Sequence, residues 1–216
     1  MKLDDMKKTK IICVIGAAVL CLILFVIFMK GTAYAEMPEA YYDEQELWDE
    51  LSKLSPSDEI TSGVMGYFMR ESRLKPDAVP NWTHWNHMKG VTDICREFTE
   101  KIDAGLSDGS TRDIFVWEVQ HIYGGYGLGQ WYVDHYLEDF YEFVREREGS
   151  IADVTIQCEF VFESMKQNER LWEDLCSSTD PYHTGKIIGF LYDGASSLGA
   201  ETIASYSRMF YKEYAQ

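Results

Sequence analysis

The chain has 216 residues, 46% of them hydrophobic and 26% charged, enough apolar material for one sizeable core and too little Pro and Gly for a disordered or collagen-like chain. Lys and Arg number 20 against 36 Asp and Glu, a formal net charge of -16. That balance excludes a phosphate backbone, and so nucleic acid, as a main partner.

The charge is unevenly placed. Residues 1–35 hold Lys2, Lys7, Lys8, Lys10 and Lys30 but only Asp4 and Asp5 as acids, which leaves the remainder strongly acidic. Between Ile11 and Met29 runs an uncharged apolar stretch, IICVIGAAVLCLILFVIFM, which as a helix rising about 1.5 Å per residue spans a bilayer's hydrocarbon core. The lysines before it keep that end in the cytoplasm, so residues after Lys30 are expected outside the cell. Ala33-Tyr34-Ala35 has the small-x-small pattern of a signal-peptidase site. The run exceeds the usual signal-peptide core, so the expectation is a retained single-pass anchor, with secretion after cleavage near Ala35 as the alternative. Cys95, Cys158 and Cys176 lie beyond the anchor and allow at most one intrachain disulfide; three buried free thiols are the simpler expectation.

The exported part reads as helices in series. Asp43 to Leu54 places Leu47, Leu51 and Leu54 on one face, and Ser55-Pro56 looks like a cap followed by proline at the first position of a helix running to about Glu71. Thr92 to Ala104 forms the next helix, stopped by Gly105, with a polar loop to Asp113. Phe115 to Val119 is rich enough in aromatic and β-branched residues to suggest a short hairpin strand. Leu137, Phe140, Tyr141 and Val144 define a helix ended by Gly149. Val154 to Met165 is apolar on two faces and is the expected central helix. Asn168 to Cys176, Pro181 to about Asp193 behind an Asp180 cap, and Ile203 to Tyr214 complete a mainly α domain with at most one small β-hairpin. The divisions are 1–35 (tip and anchor or signal), 36–55 (leading helix) and 56–216 (main domain).

Two segments carry chemistry. In MGYFMRESRLKPDA (Met65 to Ala78), Glu71 falls in the last turn of its helix, against the negative end of the helix dipole and close to Tyr67, Phe68 and the aromatic loop Trp82 to Trp85. Dipole and desolvation both favour a carboxyl that keeps its proton, as a general acid must to protonate a glycosidic oxygen. The plain alternative is a solvated glutamate at a helix end. In GGYGLGQWY (Gly124 to Tyr132) four glycines permit positive φ and close ligand approach, while Tyr126, Gln130 and Trp131 offer aromatic faces and an amide of the kind sugars are held by. The plain alternative here is a tight turn between helices. No Lys-Ser/Thr follows the glycines and the dinucleotide spacing is absent, so the loop is not a nucleotide site.

ES-x-x-x-P-x-A followed downstream by GYGLGQW resembles the phage tail-type lysozyme domain, within the wider lysozyme and soluble lytic transglycosylase superfamily whose counterpart motifs read ES and GLMQ. TDICREFTEKIDAG, IFV, SIADVTIQCEFVFESM, FLYD and the closing SRMFYKEYA are similar to further parts of that family, so the resemblance covers roughly residues 56–216. It implies a lysozyme-like α+β helical fold, Glu71 as catalytic acid, and Ser72, Tyr126, Gly127, Gln130 and Trp131 around a glycan cleft. The chain departs from the family at Arg73, where glycine is common after Glu-Ser, and at Tyr136 and Leu137, where the family has Arg-Lys.

The function expected is a peptidoglycan glycosidase cleaving the β-1,4 bond between N-acetylmuramic acid and N-acetylglucosamine, for wall remodelling or for opening the wall to a transfer apparatus. Glu118, on the expected hairpin, is the leading second carboxylate of a hydrolase; Asp134 reads as a helix cap. The alternatives are a lytic transglycosylase, which needs no water-activating group, and a glycan-binding or scaffold module without turnover. No cofactor is expected. His84 and His87 stand at i, i+3 but lack an HExxH context or a cysteine partner, so no metal is expected either. Amidase-type Cys-His chemistry would need a cysteine beside a base, and the three candidates sit in helical segments.

Overall fold

The structure is a computed structural model that describes residues 39–79, 91–132 and 136–215. The chain divides into residues 1–37 and 38–216, and the described residues all belong to the second unit. The apolar run 11–29, the Ala33 to Ala35 pattern, the aromatic loop with His84 and His87, and Asp134 lie outside them. Among the described residues no helix is long and apolar enough to cross a membrane.

Among the described residues nine α-helices follow in order: α1 Glu44–Leu54, α2 Asp58–Ser72, α3 Val91–Asp103, α4 Arg112–Glu118, α5 Leu137–Glu146, α6 Val154–Lys166, α7 Glu169–Ser177, α8 Pro181–Ile187 and α9 Ser197–Tyr214. Short polar side chains start most of them by accepting from first-turn amides: Asp43 from Glu46 N, Asp153 from Ile156 N, Asn168 from Leu171 N and Asp180 from Tyr182 N. The cap of α2 is Ser57 and not Ser55; its Oγ accepts from Ile60 N at 3.3 Å. Pro56 therefore precedes the cap, and Ser55 closes α1. Leu47 and Leu51 are buried as expected, whereas Leu54, at the end of α1, is exposed.

α2 is buried along its whole length from Ile60 to Met69, because it packs against α1 on one side and α8 and α9 on the other. The α2/α9 crossing is set by a glycine. A Cβ on Gly66 would lie 2.4 Å from Ser207 Oγ and 2.6 Å from Ile203 O, so the two backbones meet with no side chain between them. α6 is buried on two faces, as its pattern predicts, with Ile156, Phe160, Val161, Phe162 and Met165 enclosed.

The hairpin expected at Phe115 to Val119 is a helix. α4 runs through Glu118 and widens into a π-helical turn, Val119–Tyr123. Phe115 is fully buried while Ile114 and Trp117 are exposed, so burial follows helical spacing despite the strand-like composition. Among the described residues the only β pairing is two isolated bridges, Tyr126 with Trp131 and Tyr132 with Tyr136. α9 begins six residues before the expected Ile203, capped by Ser196. α5 ends at Glu146, ahead of Gly149.

Cys95, Cys158 and Cys176 are all free thiols. The first two are buried, and burial raises both of their pKa values, Cys158 far above the ordinary range; neither is a ready thiolate nucleophile. Cys176 is exposed rather than buried.

The α2/α9 contact yields a stability prediction. Gly66→Ala forces the helices apart and should cost about 1–3 kcal/mol, read as a lower denaturant midpoint with an unchanged m-value.

Candidate functional site

Glu71 lies in the last turn of α2, and its side chain is 18% exposed. The helix ends one residue later, at Ser72, whose Oγ donates back to Phe68 O at 3.0 Å. The chain then turns sharply through two left-handed residues, Arg73 (φ 56) and Leu74 (φ 61). Arg73 is the αL cap of α2, its N–H bonding to Met69 O. This explains why glycine suits the family at that position. Arg73 is held there by its carbonyl, which accepts from Tyr41 N (2.9 Å), by its Nε, which donates to Glu39 O (3.1 Å), and by stacking over the Tyr41 ring.

The turn after Glu71 is tied to the glycine loop, about fifty residues downstream. Gly127 N and Gln130 Nε2 both donate to Ala78 O, at 2.9 and 3.0 Å. Gln130 Nε2 also reaches Gly127 O at 2.8 Å. From the other side Tyr67 donates its hydroxyl to Gly129 O at 2.5 Å. Burial raises the Tyr67 pKa well above its ordinary value, so this group is a permanent donor.

A residue absent from the sequence expectations completes the connection. Gln157, fully buried on α6, donates to Pro76 O and Ile151 O, both at 2.7 Å, and accepts from Leu128 N at 2.7 Å. One amide thus joins the turn after Glu71, the glycine loop and the start of the central helix. The only sequence signal was a polar residue on a helix otherwise apolar on two faces. Gly127 has φ 78, and a Cβ there would stand 2.8 Å from Gln157 Oε1, so its glycine serves both the turn and the approach of that amide.

Tyr126 and Trp131 are turned inward. Trp131 stacks on Phe140 at 4.6 Å and meets Phe160 edge-on at 5.1 Å, while Tyr126 bonds Thr99 at 2.6 Å among Phe98 and Phe115. The aromatic faces expected to meet a sugar are core faces here, and these residues hold the loop from within. The Gln130 amide is likewise spent on backbone carbonyls. Glu118 sits at the end of α4 in an ion pair with Lys101 of α3, on a helix in place of the hairpin expected to carry it across a cleft.

The immediate partner of Glu71 is Arg70. Its Nη1 donates both to Glu71 Oε1 and, at 3.0 Å, to Asp193 Oδ2. Sequence reasoning missed this cluster because Asp193 is 123 residues from Arg70. Among the described residues no group of three or more His, Cys, Asp or Glu is placed to hold a metal ion.

The Gln157 amide carries a direct prediction. Gln157→Leu strands the Leu128 N–H and two carbonyls in the interior and should cost about 2–4 kcal/mol, measured by chemical denaturation. Activity should fall with stability, since the Glu71 turn loses its hold on the glycine loop.

No curated protein and no solved structure matches the chain significantly. The model of the family described as phage tail lysozyme, however, matches residues 43–214, which takes in α1, the Glu71 turn, the glycine loop that Gln157 binds to it, and every later helix; the chain belongs to that family.

Proposed function

We propose that the protein is a peptidoglycan glycosidase that cleaves the β-1,4 bond between N-acetylmuramic acid and N-acetylglucosamine, with Glu71 as general acid. The observation that carries this reading is the joining of the Glu71 turn to the glycine loop through Ala78, Gln130 and Gln157. These two segments carry the family resemblance, and the buried glycine loop holds in place the turn that follows the part-exposed Glu71 carboxyl. Family membership supports the same class of substrate.

In this reading Glu71 protonates the leaving oxygen of the bound glycan as the glycosidic bond breaks, becoming a carboxylate. Ser72, Tyr126, Gly127, Gln130 and Trp131 act by shaping the loop and the turn. Hydrolysis is the primary reading, with Glu118 as second carboxylate. Transglycosylation is favoured by one specific observation, the ion pair of Glu118 with Lys101, because attack by the muramic acid 6-hydroxyl needs no water-activating group. The acidic domain gains no electrostatic hold on a wall rich in anionic polymers, so the apolar run 11–29 is proposed to keep it at the membrane, outside the cell.

Glu71→Gln keeps shape and hydrogen bonding but has no proton to give, so wall lysis should fall at least about 100-fold with folding unchanged; half the wild-type rate would overturn the assignment, and retention on cell walls without lysis by the wild type would mark a binding module. Mass spectrometry of released fragments separates the two reactions. Reducing-end muramic acid means hydrolysis; a 1,6-anhydro end means transglycosylation, and Glu118→Gln should then keep most of the activity. The protein should be recovered in the membrane fraction, and a mature chain beginning at Glu36 in the medium would contradict the anchor.

A further inference from the structure

Arg70 is held on three sides. Its Nη1 donates to Glu71 Oε1 on the same helix and to Asp193 Oδ2 just beyond α8. On the third side is Gly199, in the first turn of α9, where a Cβ would stand 2.9 Å from Arg70 Nη2 and 3.2 Å from Cζ. The guanidinium therefore occupies room that any other residue at 199 would fill.

Asp193 is brought there by a local irregularity. After Ile187 the α8 helix widens into a π-helical turn, Ile188–Tyr192, closed by Asp193 N bonding to Ile188 O at 3.0 Å. Gly194 then takes φ 67 and ends the helix. A regular α-helix would rotate residue 193 to a different bearing. π-helical turns are rare and recur at functional sites. The Asp193 side chain is 13% exposed, Glu71 18% and Arg70 31%, so the three groups share one partly open position.

We propose that Asp193 is a positioning residue for Glu71, acting through Arg70; this rests on the reading of Glu71 as proton donor. The physical reason lies in what a guanidinium can do. Arginine only donates, so on a protonated carboxyl it bonds best to the oxygen that carries no proton, the stronger acceptor of the two. With Arg70 on Oε1, the proton of the acid form belongs on Oε2, which is the oxygen left for the glycosidic bond. When that proton passes to the leaving oxygen, Glu71 becomes a carboxylate already partnered by Arg70. Arg70 alone is a long side chain with many rotamers. The acceptor on Asp193 and the space at Gly199 restrict it to the one that addresses Oε1.

The test uses the whole protein and soluble peptidoglycan glycan strands, with kcat, KM and thermal midpoint measured for four variants. Asp193→Ala removes the acceptor, and kcat should fall roughly tenfold or more with KM within about twofold, since a small misplacement of a reacting group is costly. Asp193→Asn keeps an acceptor for Nη1 and should regain most of that loss. Gly199→Ala leaves every charge in place and is favoured by helix propensity; it should lower kcat without lowering the thermal midpoint. Glu71→Gln is the reference for loss of the acid. If Glu71→Gln is inactive while Asp193→Ala and Gly199→Ala both keep the wild-type kcat, the positioning role is overturned and the Glu71 reading stands. An Asp193→Asn variant as inactive as Asp193→Ala also overturns it, because Asp193 would then act in the chemistry itself. An active Glu71→Gln overturns the underlying reading, and the proposal with it.

Discussion

The rest of the site depends on the Gln157 amide. A buried primary amide is costly unless its donors and acceptor are satisfied, and here two carbonyls and one N–H from three separate segments satisfy it. None of these backbone groups has a substitute in the interior if the amide is removed. The turn that follows Glu71 and the glycine loop therefore cannot shift independently; each is hydrogen-bonded to the same side chain on a helix enclosed on two faces. This is how a constellation built partly on loops acquires the rigidity of helices.

Around that connection the backbone is irregular in a consistent way. Among the described residues, four of the five left-handed non-glycine residues, Arg73, Leu74, Gln130 and Tyr136, belong to the Glu71 turn or to the glycine loop and its exit, the fifth being Glu148 after α5, and the two π-helical turns lead into the loop and into Asp193. Each departure costs some stability. The close packing of α2 and α8 on α9, with Gly66 of α2 and Gly185 of α8 allowing backbones to meet at Ser207 and Ala204, supplies the regular framework that holds the irregular parts. Strain and irregularity sit together where a carboxyl has to be aimed, while the helices behind them are capped and regular.

The pattern of residues made most helices legible, because their apolar positions repeat at helical spacing and Asp43, Asp153, Asn168 and Asp180 announce their starts. The hairpin misreading at Phe115 arose because Ile114, Phe115, Val116 and Trp117 have strand-type side chains, and only the burial of Phe115 against Phe98 and Tyr126 shows the helical face. The start of α9 was hidden for the opposite reason. Gly199 and Ala200 are small, so they add nothing to a hydrophobic pattern, yet smallness is what their packing requires. Of the site, the Glu71 turn and the glycine loop were legible from composition and resemblance. Arg70, Gln157 and Asp193 were not, since their partners lie far along the chain and polar residues carry no periodic signal.

The inward placement of Tyr126 and Trp131 changes how the glycine loop has to be understood. Had these rings faced outward, the loop would hold a sugar by its faces and the glycines would only thread between them. With the rings in the core, Trp131 stacked on Phe140 and Tyr126 tilted against Phe98, the loop is enclosed along with them: Gly125, Gly127, Gly129 and Gln130 are buried, and of its glycines only Gly124, at the entry, is exposed. The glycines then serve packing: a Cβ at Gly127 would meet the Gln157 amide and one at Gly129 the Trp131 indole, so their smallness is what lets a buried amide and a buried ring close on the loop and hold it against the turn after Glu71.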